Sequence, residues 1–201
     1  MFNLKTLFSR ALLALALAGG CGAAYAGPTY HVSVNTSSLS GTSGYLDFSF
    51  NALGNAPTAT ATVSHFLGAF GSDVMYEGDA SGDAFSTMVL GNSGGFNDLL
   101  QAVAFGGLFS FDVSFDVAPG DIGSTFGIAL VNAALDGYLG VDGNIVTFDL
   151  MPGEPDTVSV VESFAAVTTG TPETNVPEPG SMALAATGLL LLALTRRRMA
   201  R

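Results

Sequence analysis

Residues 109–117 of the 201-residue chain read FSFDVSFDV, and this stretch decides the fold class. Every odd position is apolar, and every even position is serine or aspartate. Because successive side chains of a β-strand point to opposite faces, the alternation predicts a strand with one buried face and one solvated face. Asp112 and Asp116 are then expected together on the solvated face.

The same period of two recurs on either side of this stretch. It is clear at residues 30–35 and 46–51. Residues 96–102 have two interpretations, a strand or one helical turn capped by Asn97 or Asp98. Turns rich in Gly, Asp and Asn separate the segments, which is typical of an all-β protein. We predict an antiparallel β-sandwich of the jelly-roll type. The further strand candidates are residues 58–66, 84–90, 99–105, 125–131, 145–150 and 157–163.

Positive charge is confined to the two ends of the chain. All six Lys and Arg residues lie within the first ten or the last six positions, whereas all 17 Asp and Glu residues lie between them, from Asp47 to Glu178. Nucleic-acid binding needs cations that neutralise phosphates, so nucleic acid is excluded as a partner. The same absence rules out an Arg or Lys clamp for a phosphorylated substrate. The acidity favours solubility and divalent cations.

The N-terminal end has the features of a secretory signal peptide. Lys5 and Arg10 precede the apolar run ALLALALA, and Ala24-Tyr25-Ala26 follows. This order predicts a signal peptide at residues 1–26 that signal peptidase cleaves after Ala26.

Cys21, the one cysteine of the chain, falls inside this segment. Small residues precede it, as in a lipoprotein signal, but the usual leucine three positions earlier is missing. We therefore interpret Cys21 as part of the removed peptide. The mature protein then has no disulfide and no thiol nucleophile.

The C-terminal end consists of a linker and a tail. Residues 166–175, rich in Thr, Pro and Glu, predict a flexible linker after a sandwich domain at residues 27–165. In the tail at residues 176–201, an apolar run at residues 181–195 predicts a single helix of about 22 Å, shorter than the ~30 Å hydrocarbon layer. The arginines after it are expected to stay cytoplasmic. Two short motifs flank the predicted helix. Val176, Pro177, Glu178 and Pro179 precede it, and Arg196, Arg197 and Arg198 follow it.

These three ordered parts resemble the PEP-CTERM sorting signal of Gram-negative bacteria that make exopolysaccharide. The resemblance implies that an exosortase, a membrane transpeptidase, recognises Pro177-Glu178-Pro179 and removes the helix. It also implies a membrane-anchored intermediate at the inner membrane, followed by delivery to the cell surface or extracellular matrix. The tail is similar as well to the segment labelled as an ice-binding protein C-terminal tail, which implies no ice binding. Residues 30–48 resemble the opening of a group of PEP-CTERM proteins and bring no site residues.

No catalytic motif stands out in the central part of the chain. The sequence lacks GxSxG, HExxH, a P-loop and a GxGxxG fingerprint in a βαβ setting. His31 and His65, its only histidines, are expected at the surface of strands. Asp112 and Asp116 are candidates for glycoside hydrolysis, but a shared solvated strand face is the simpler interpretation. We expect no enzyme activity. Three tyrosines are available to stack on a sugar, namely Tyr45, Tyr76 and Tyr138.

Calcium is a second chemical possibility, because oxygen ligands from Asp, Asn and glycine turns suit it. The candidate ligands are Asp79 and Asp83 in EGDASGD, and Asp136, Asp142 and Asn144 in DGYLGVDGN. Neither segment matches an EF-hand loop, and both compositions are also ordinary in turns. Calcium is the one cofactor that the sequence leaves open.

A short threonine row at residues 58, 60 and 62 could order water on a strand, but β-propensity explains it equally well. The sequence as a whole favours an exported, non-catalytic protein of the cell surface or matrix, with a structural or adhesion role and exopolysaccharide as a candidate partner. A carbohydrate-binding or glycan-cleaving module of the same fold is the alternative. A calcium-stabilised adhesion module is a further one.

Overall fold

The computed structural model describes residues 27–93 and 96–170. Within them the chain forms twelve β-strands and one short 3-10 helix, Ser37–Leu39, so the predicted all-β class is confirmed. The strands are β1 (Thr29–Asn35), β2 (Ser43–Ala52), β3 (Ala59–Leu67), β4 (Phe70–Glu77), β5 (Ala80–Ser81), β6 (Met88–Gly91), β7 (Asp98–Ala104), β8 (Leu108–Val117), β9 (Ser124–Asn132), β10 (Asn144–Leu150), β11 (Thr157–Val160) and β12 (Ala165–Gly170).

The strands form two six-stranded sheets. Sheet A has the order β12-β1-β8-β3-β6-β5, and sheet B has the order β11-β10-β9-β2-β7-β4. All strand pairs of the two sheets are antiparallel. Alternate residues of both sheets line one common apolar core, which confirms the predicted β-sandwich.

Strand β8 contains the stretch FSFDVSFDV and lies inside sheet A, between β1 and β3. Phe109, Phe111 and Val113 are fully buried, whereas Asp112 and Asp116 lie on the opposite, solvated side. The alternation in the sequence therefore predicted the two faces of this strand correctly.

Phenylalanine rings join the two sheets across the core. Phe111 of sheet A meets Phe48 of sheet B edge to face, with ring centroids 5.3 Å apart. Phe115 meets Phe126 in the same way at 5.5 Å. Such pairs add about 0.5–1.5 kcal/mol to the free energy gained from burying their apolar area. Both outer faces of the sandwich therefore rest on one shared aromatic layer.

Two single segments differ from part of what the sequence predicts. Of the two interpretations of residues 96–102, the strand is correct and the helical turn is wrong, since β7 begins at Asp98 and alternates buried and partly exposed side chains. The strand predicted at residues 84–90 is shorter than expected, because β6 begins only at Met88. The backbone before it turns, with the Asp83 carboxylate accepting hydrogen bonds from the Phe85 amide and the Ser86 hydroxyl.

The other differences between the predicted and the observed strands concern strands at the edges of the two sheets. Strand β4 was missed, because a register shift between Phe70 and Val74 interrupts its pairing with β7 and breaks the alternation of buried side chains. Strand β12 continues to Gly170, whereas the sequence predicted the end of the domain at residue 165 and a linker from residue 166. Only Ala165 of β12 is buried, so the strand is held by backbone pairing with β1 and leaves no hydrophobic pattern.

Several predicted features lie outside the described residues. These are the signal peptide with its cleavage residues Ala24 and Ala26, the rest of the linker, the sorting motif, the apolar helix and the arginine cluster. In the part of the chain that the structure describes, no helix has the length and apolar character needed to cross a bilayer.

Candidate functional site

The solvent-facing sides of the two sheets carry the polar side chains that could bind a partner. We call the outer side of sheet A face A and the outer side of sheet B face B. Face A is formed by Thr29, His31 and Ser33 of β1, Ser110, Asp112, Ser114 and Asp116 of β8, and Thr60, Thr62 and Ser64 of β3. Face B is formed by Tyr45, Asp47, Ser49 and Asn51 of β2, Asp98 and Leu100 of β7, Met75 and Glu77 of β4, Thr125 and Ala129 of β9, and Thr147 and Asp149 of β10.

Hydroxyl groups line up across the strands of face A. Ser114 of β8 stands opposite Thr29 of β1 on one side and opposite Thr62 of β3 on the other. These three residues form a hydroxyl row that runs across three adjacent strands. The row predicted along β3 is only part of this arrangement, because Thr58 precedes the strand and Thr60 faces Asp116.

The two histidines of the chain meet at one carboxylate on face A. His31 Nδ1 lies 2.8 Å from Asp112 Oδ1, and His65 Nδ1 lies 2.9 Å from Asp112 Oδ2. His31 stands directly opposite Asp112 in the pairing of β1 with β8. The imidazole side chains are 53% and 80% exposed, as expected for surface histidines. A carboxylate only accepts hydrogen bonds, so each ring donates to Asp112 from Nδ1.

A β-bulge places His65 on this face. The pairing of β3 with β8 shifts between Ser64 and Leu67, and His65 has a φ of 56°, in the left-handed region. In a regular strand the residue after Ser64 would point into the core, whereas the bulge keeps both on face A. Ser64 Oγ lies 3.3 Å from His65 Nδ1, the same nitrogen that Asp112 contacts. A Ser-His-Asp triad needs the serine and the aspartate on opposite ring nitrogens, so this arrangement orients the ring without activating Ser64.

Face B holds carboxylates that have no basic partner. Asp98 of β7 faces Glu77 of β4 and Ser49 of β2, so Asp47, two residues before Ser49, is its diagonal neighbour. Desolvation, with a smaller contribution from the Asp98 charge, raises the pKa of Asp47 to about 7. Burial, followed by the Glu77 charge, raises the pKa of Asp98. Asp47 Oδ1 is shielded from solvent and has no hydrogen-bond partner among the described residues. Two neighbouring carboxyl groups thus hold their protons more tightly than ordinary aspartates.

A shallow groove of about 420 Å³ lies at one end of face B. Asn51, Thr125 and Asp149 are polar lining residues of the groove, and the Thr125 hydroxyl donates to Asp149 Oδ1 at 2.9 Å. The exposed side chains of Leu53 and Met151 add apolar lining. Small-ligand sites combine apolar walls with a few polar groups in this way, although they are usually more enclosed.

Tyrosines also reach face B. Tyr45 faces Val131 in the pairing of β2 with β9, and Tyr138 forms an isolated bridge to the same residue. Two of the three candidate stacking residues therefore flank one position. The third, Tyr76, lies on the edge strand β4, where its hydroxyl donates to the Gly82 carbonyl.

The structure uses the calcium candidates of EGDASGD and DGYLGVDGN in turns. Asp79 accepts a hydrogen bond from Ser93, and Asp83 caps the turn before β6. Asp136 accepts from the side chain of Asn132, Asp142 lies in the loop before β10, and Asn144 covers Gly127. Across residues 27–93 and 96–170, no group of three or more His, Cys, Asp or Glu side chains is arranged to hold a metal ion.

The bridging role of three buried amide side chains was not predicted from the sequence. Gln101 accepts from the Ala84 amide and donates to the Gly71 carbonyl. Asn97 and Asn92 make equivalent bridges between loops and strands, each to buried backbone groups. The sequence does hold a sign of such a role: Gln101 is a polar residue at a position of β7 where the alternation, set by Leu99 and Val103, calls for a buried side chain. These residues fix loops at the edges of the sandwich.

Comparison with known proteins concerns the C-terminal tail. Residues 175–198 match the family model for the PEP-CTERM protein-sorting motif, and this match includes Pro177-Glu178-Pro179 and the arginine cluster. No curated protein and no solved structure matches the chain. The motif implies export, processing by an exosortase, and a final location at the cell surface or outside the cell. The chain therefore carries a PEP-CTERM sorting motif, which supports its being an exported substrate of exosortase.

Proposed function

We propose that the sandwich domain is a non-catalytic structural or adhesion module of the cell surface or extracellular matrix, and that face A contacts a neutral, hydroxyl-rich polysaccharide. The observation that carries the proposal is the hydroxyl row Thr29, Ser114 and Thr62, which crosses three adjacent strands. The sorting motif brings the domain to the compartment where such polymers are found.

The chemistry of face A suits a polyol. Serine and threonine hydroxyls both donate and accept hydrogen bonds, so they pair with sugar hydroxyls in either direction. The strands of a sheet are about 4.8 Å apart, so the row presents such groups at regular intervals. An extended chain lying across the strands would meet several of them at once.

The charge of the domain favours a neutral partner. No Lys or Arg lies between Arg10 and Arg196, so an anionic polymer would be repelled by the acidic residues. Proteins that bind polyanions use clustered basic side chains, which this domain does not have.

A glycan array tests the proposal, combined with a reducing-end assay on every glycan that is bound. We expect the purified protein to retain neutral glycans selectively and to release no product. Binding confined to anionic glycans, or binding to none, would contradict the proposal.

A second candidate function, glycan cleavage on face B, has specific observations in its favour. Asp47 and Asp98 are diagonal neighbours with raised pKa values, and Tyr45 lies two residues from Asp47 on the same face. One carboxylic acid and one carboxylate are the groups that glycoside hydrolysis uses. Release of reducing ends by the wild type that is lost in Asp47→Asn and kept in Asp116→Asn would establish this function instead.

A further inference from the structure

We propose that strand β12 is a self-association edge, at which two copies of the chain pair their β12 strands antiparallel about a two-fold axis at Val167. Sheet A of one copy then continues into sheet A of the other. The pairing uses no residue of the hydroxyl row, so it is independent of the polysaccharide contact.

The two sheets have four edge strands, and three of them are protected against pairing with another chain. Strand β5 has two residues, β11 has four, and a register shift interrupts the pairing of β4. Short length, irregular pairing and charge are the means by which native edge strands avoid such contacts. Acidic residues lie in β4 or close to the ends of β5 and β11, namely Asp73, Glu77, Asp79, Asp83, Asp156 and Glu162.

Strand β12 has none of these protective features. Its six residues, Ala165–Gly170, all pair with β1 without a register shift. They include no charged residue and no proline. Most of them are exposed, and within residues 27–93 and 96–170 no strand pairs with the outer side of β12. The strand therefore offers a regular and neutral row of backbone groups to a further strand.

The pairing with β1 shows which backbone groups of β12 point outward. The Asn35 amide donates to the Phe164 carbonyl at 2.7 Å, in register with the β1–β12 pairs. Because hydrogen-bonded and non-hydrogen-bonded pairs alternate, the even-numbered residues of β12 bond to β1 and the odd-numbered residues direct their backbone groups away from it. The Ala165 amide donates to the Val161 carbonyl instead. The outward groups that remain are the Ala165 carbonyl and both the amide and the carbonyl of Val167 and Thr169.

A two-fold axis at Val167 joins these groups to those of a second copy. The two Val167 residues then stand opposite each other and exchange hydrogen bonds between amide and carbonyl. Each Thr169 amide donates to the Ala165 carbonyl of the other copy. The Val167 side chain is half-buried at the rim of the core, beside Phe164 and the valines of β11. Pairing therefore also brings two apolar side chains into contact across the axis.

The charge distribution favours a second copy of the chain as the occupant of this edge. All 17 Asp and Glu residues lie outside β1 and β12, so two acidic domains repel each other least where these strands meet. Glu162 lies just before β12. An antiparallel pair places the two Glu162 side chains at opposite ends of the contact, whereas a parallel pair would place like charges side by side.

The contact is small, because two short strands bury less than the about 1,200 Å² of a standard interface, and it is therefore weak in dilute solution. The sorting motif implies a location at the cell surface or outside the cell. Display of many copies on one surface raises their local concentration, so that a weak contact is occupied there.

Sedimentation velocity of the purified full-length protein in mild detergent, over a series of concentrations, tests the association. We expect a reversible monomer–dimer equilibrium that tightens as NaCl is added, because salt screens the repulsion between acidic domains. Thr169→Pro should weaken the dimer about tenfold or more, because each copy loses the amide that donates to Ala165 of the other. It leaves the hydrogen bonds to β1 intact, so its thermal unfolding should match that of the wild type. Thr169→Ala keeps the amide and is the matched control, which should dimerise like the wild type.

Disulfide trapping tests the position of the axis. In a Cys21→Ser background, Val167→Cys should form a linked dimer under mild oxidation, because the Cα atoms of a hydrogen-bonded pair lie about 5.5 Å apart. Thr169→Cys is on the same side of the strand and more exposed. It should stay monomeric, because the two copies of residue 169 lie roughly 13 Å apart along the strands, beyond the reach of a disulfide.

The proposal is overturned if the wild type stays monomeric at every concentration, or if Thr169→Pro dimerises like Thr169→Ala. The second result would also be given by a dimer that is held only by the tails in a shared micelle. Failure of Val167→Cys to cross-link, or equal cross-linking of Thr169→Cys, would overturn the antiparallel pairing about Val167.

Discussion

Asp112 on face A and Asp47 on face B occupy comparable places, each on an interior strand of its sheet, yet their surroundings differ. The cross-strand neighbours of Asp112 are His31 and Ser64, which are both polar. Those of Asp47 are Ala129 and Leu100, which are both apolar. Asp112 accordingly accepts two hydrogen bonds from histidines, whereas Asp47 keeps an oxygen without a partner and has a pKa raised to about 7.

The difference shows that the strand on which a carboxylate lies does not determine its hydrogen-bond partners or its pKa. In both strands the aspartate occupies an outward position of an alternating segment. The neighbouring strands supply either hydrogen-bond donors or a desolvating surface. Face A therefore presents a carboxylate that two histidines contact, and face B presents one that takes up a proton near neutral pH.

The largest effect is expected from a substitution in the aromatic core that both faces share. Phe111→Ala deletes a fully buried ring of sheet A that packs edge to face on Phe48 of sheet B. We expect the free energy of unfolding to fall by about 3–5 kcal/mol, the usual effect of truncating a buried phenylalanine. Urea denaturation measures it. A loss below about 1 kcal/mol would mean that the two faces do not depend on a common aromatic layer.

Asp47→Asn tests face B through the pH dependence of stability. The pKa of Asp47 is about 7 in the folded protein and near 3.8 in an ordinary aspartate, so the folded state holds the proton more tightly. This stabilising contribution is complete below about pH 4 and is lost as the pH rises to about 7. At pH 8 we expect Asp47→Asn to be more stable than the wild type by about 2–3 kcal/mol, with less difference at pH 4.

Chemical denaturation at a series of pH values measures this difference. Asp116→Asn is the control, because Asp116 is exposed on face A and should leave the slope unchanged. Parallel stability curves for the wild type and Asp47→Asn would mean that Asp47 is ordinarily ionised, and the contrast with Asp112 would then disappear.

A smaller effect is expected where one side chain joins the core to the rim of the sandwich. The buried Tyr30 ring packs on Phe115 and Phe148, and its hydroxyl donates to Asp156 Oδ2 at 2.6 Å. Tyr30→Phe should lower the free energy of unfolding by about 1–2 kcal/mol near pH 7. Burial and the Asp156 carboxylate also raise the pKa of Tyr30. Its contribution is therefore present below about pH 10 and is lost above it, so the two proteins should converge in alkaline melts. A constant difference at all pH values would contradict this assignment.

The smallest effect is expected on face A, where a substitution should raise the free energy of unfolding rather than lower it. Glycine adopts a φ of 56° without strain, so His65→Gly should raise the free energy of unfolding by about 0.5 kcal/mol. The loss of the exposed hydrogen bond to Asp112 offsets part of this gain. A clear fall in melting temperature would show that the hydrogen bond to Asp112 outweighs the backbone strain at His65.

The sequence predicted those parts of the fold that follow from local alternation. The period of two in β8 gave the sandwich class and placed Asp112 on a solvated face. Edge strands escaped this reasoning, because β4 is interrupted by a register shift and β12 buries only Ala165. Phe70 and Val74 of β4 pack against the core, but the register shift between them hides the alternation that the sequence analysis relies on.

The candidate sites depended on cross-strand register, which no local pattern contains. His31 and His65 were recognised as surface residues, but their meeting at Asp112 follows from the order β1-β8-β3 and the bulge at His65. In the sequence Asp47 is an outward aspartate like the others. Its apolar neighbours Leu100 and Ala129 follow only from the pairing of β2 with β7 and β9. The sorting motif was predictable because it is a contiguous segment, and the family match confirmed it.

Co-sedimentation with a neutral polysaccharide tests most directly the proposal that face A is the contact surface. Three proteins are compared: the wild type, a face A variant with Thr29→Ala, Thr62→Ala and Ser114→Ala, and a face B variant with Ser49→Ala, Thr125→Ala and Thr147→Ala. The account predicts that the face A variant loses binding while the face B variant pellets with the polymer like the wild type. Loss of binding in the face B variant alone, or equal binding by all three proteins, would contradict it.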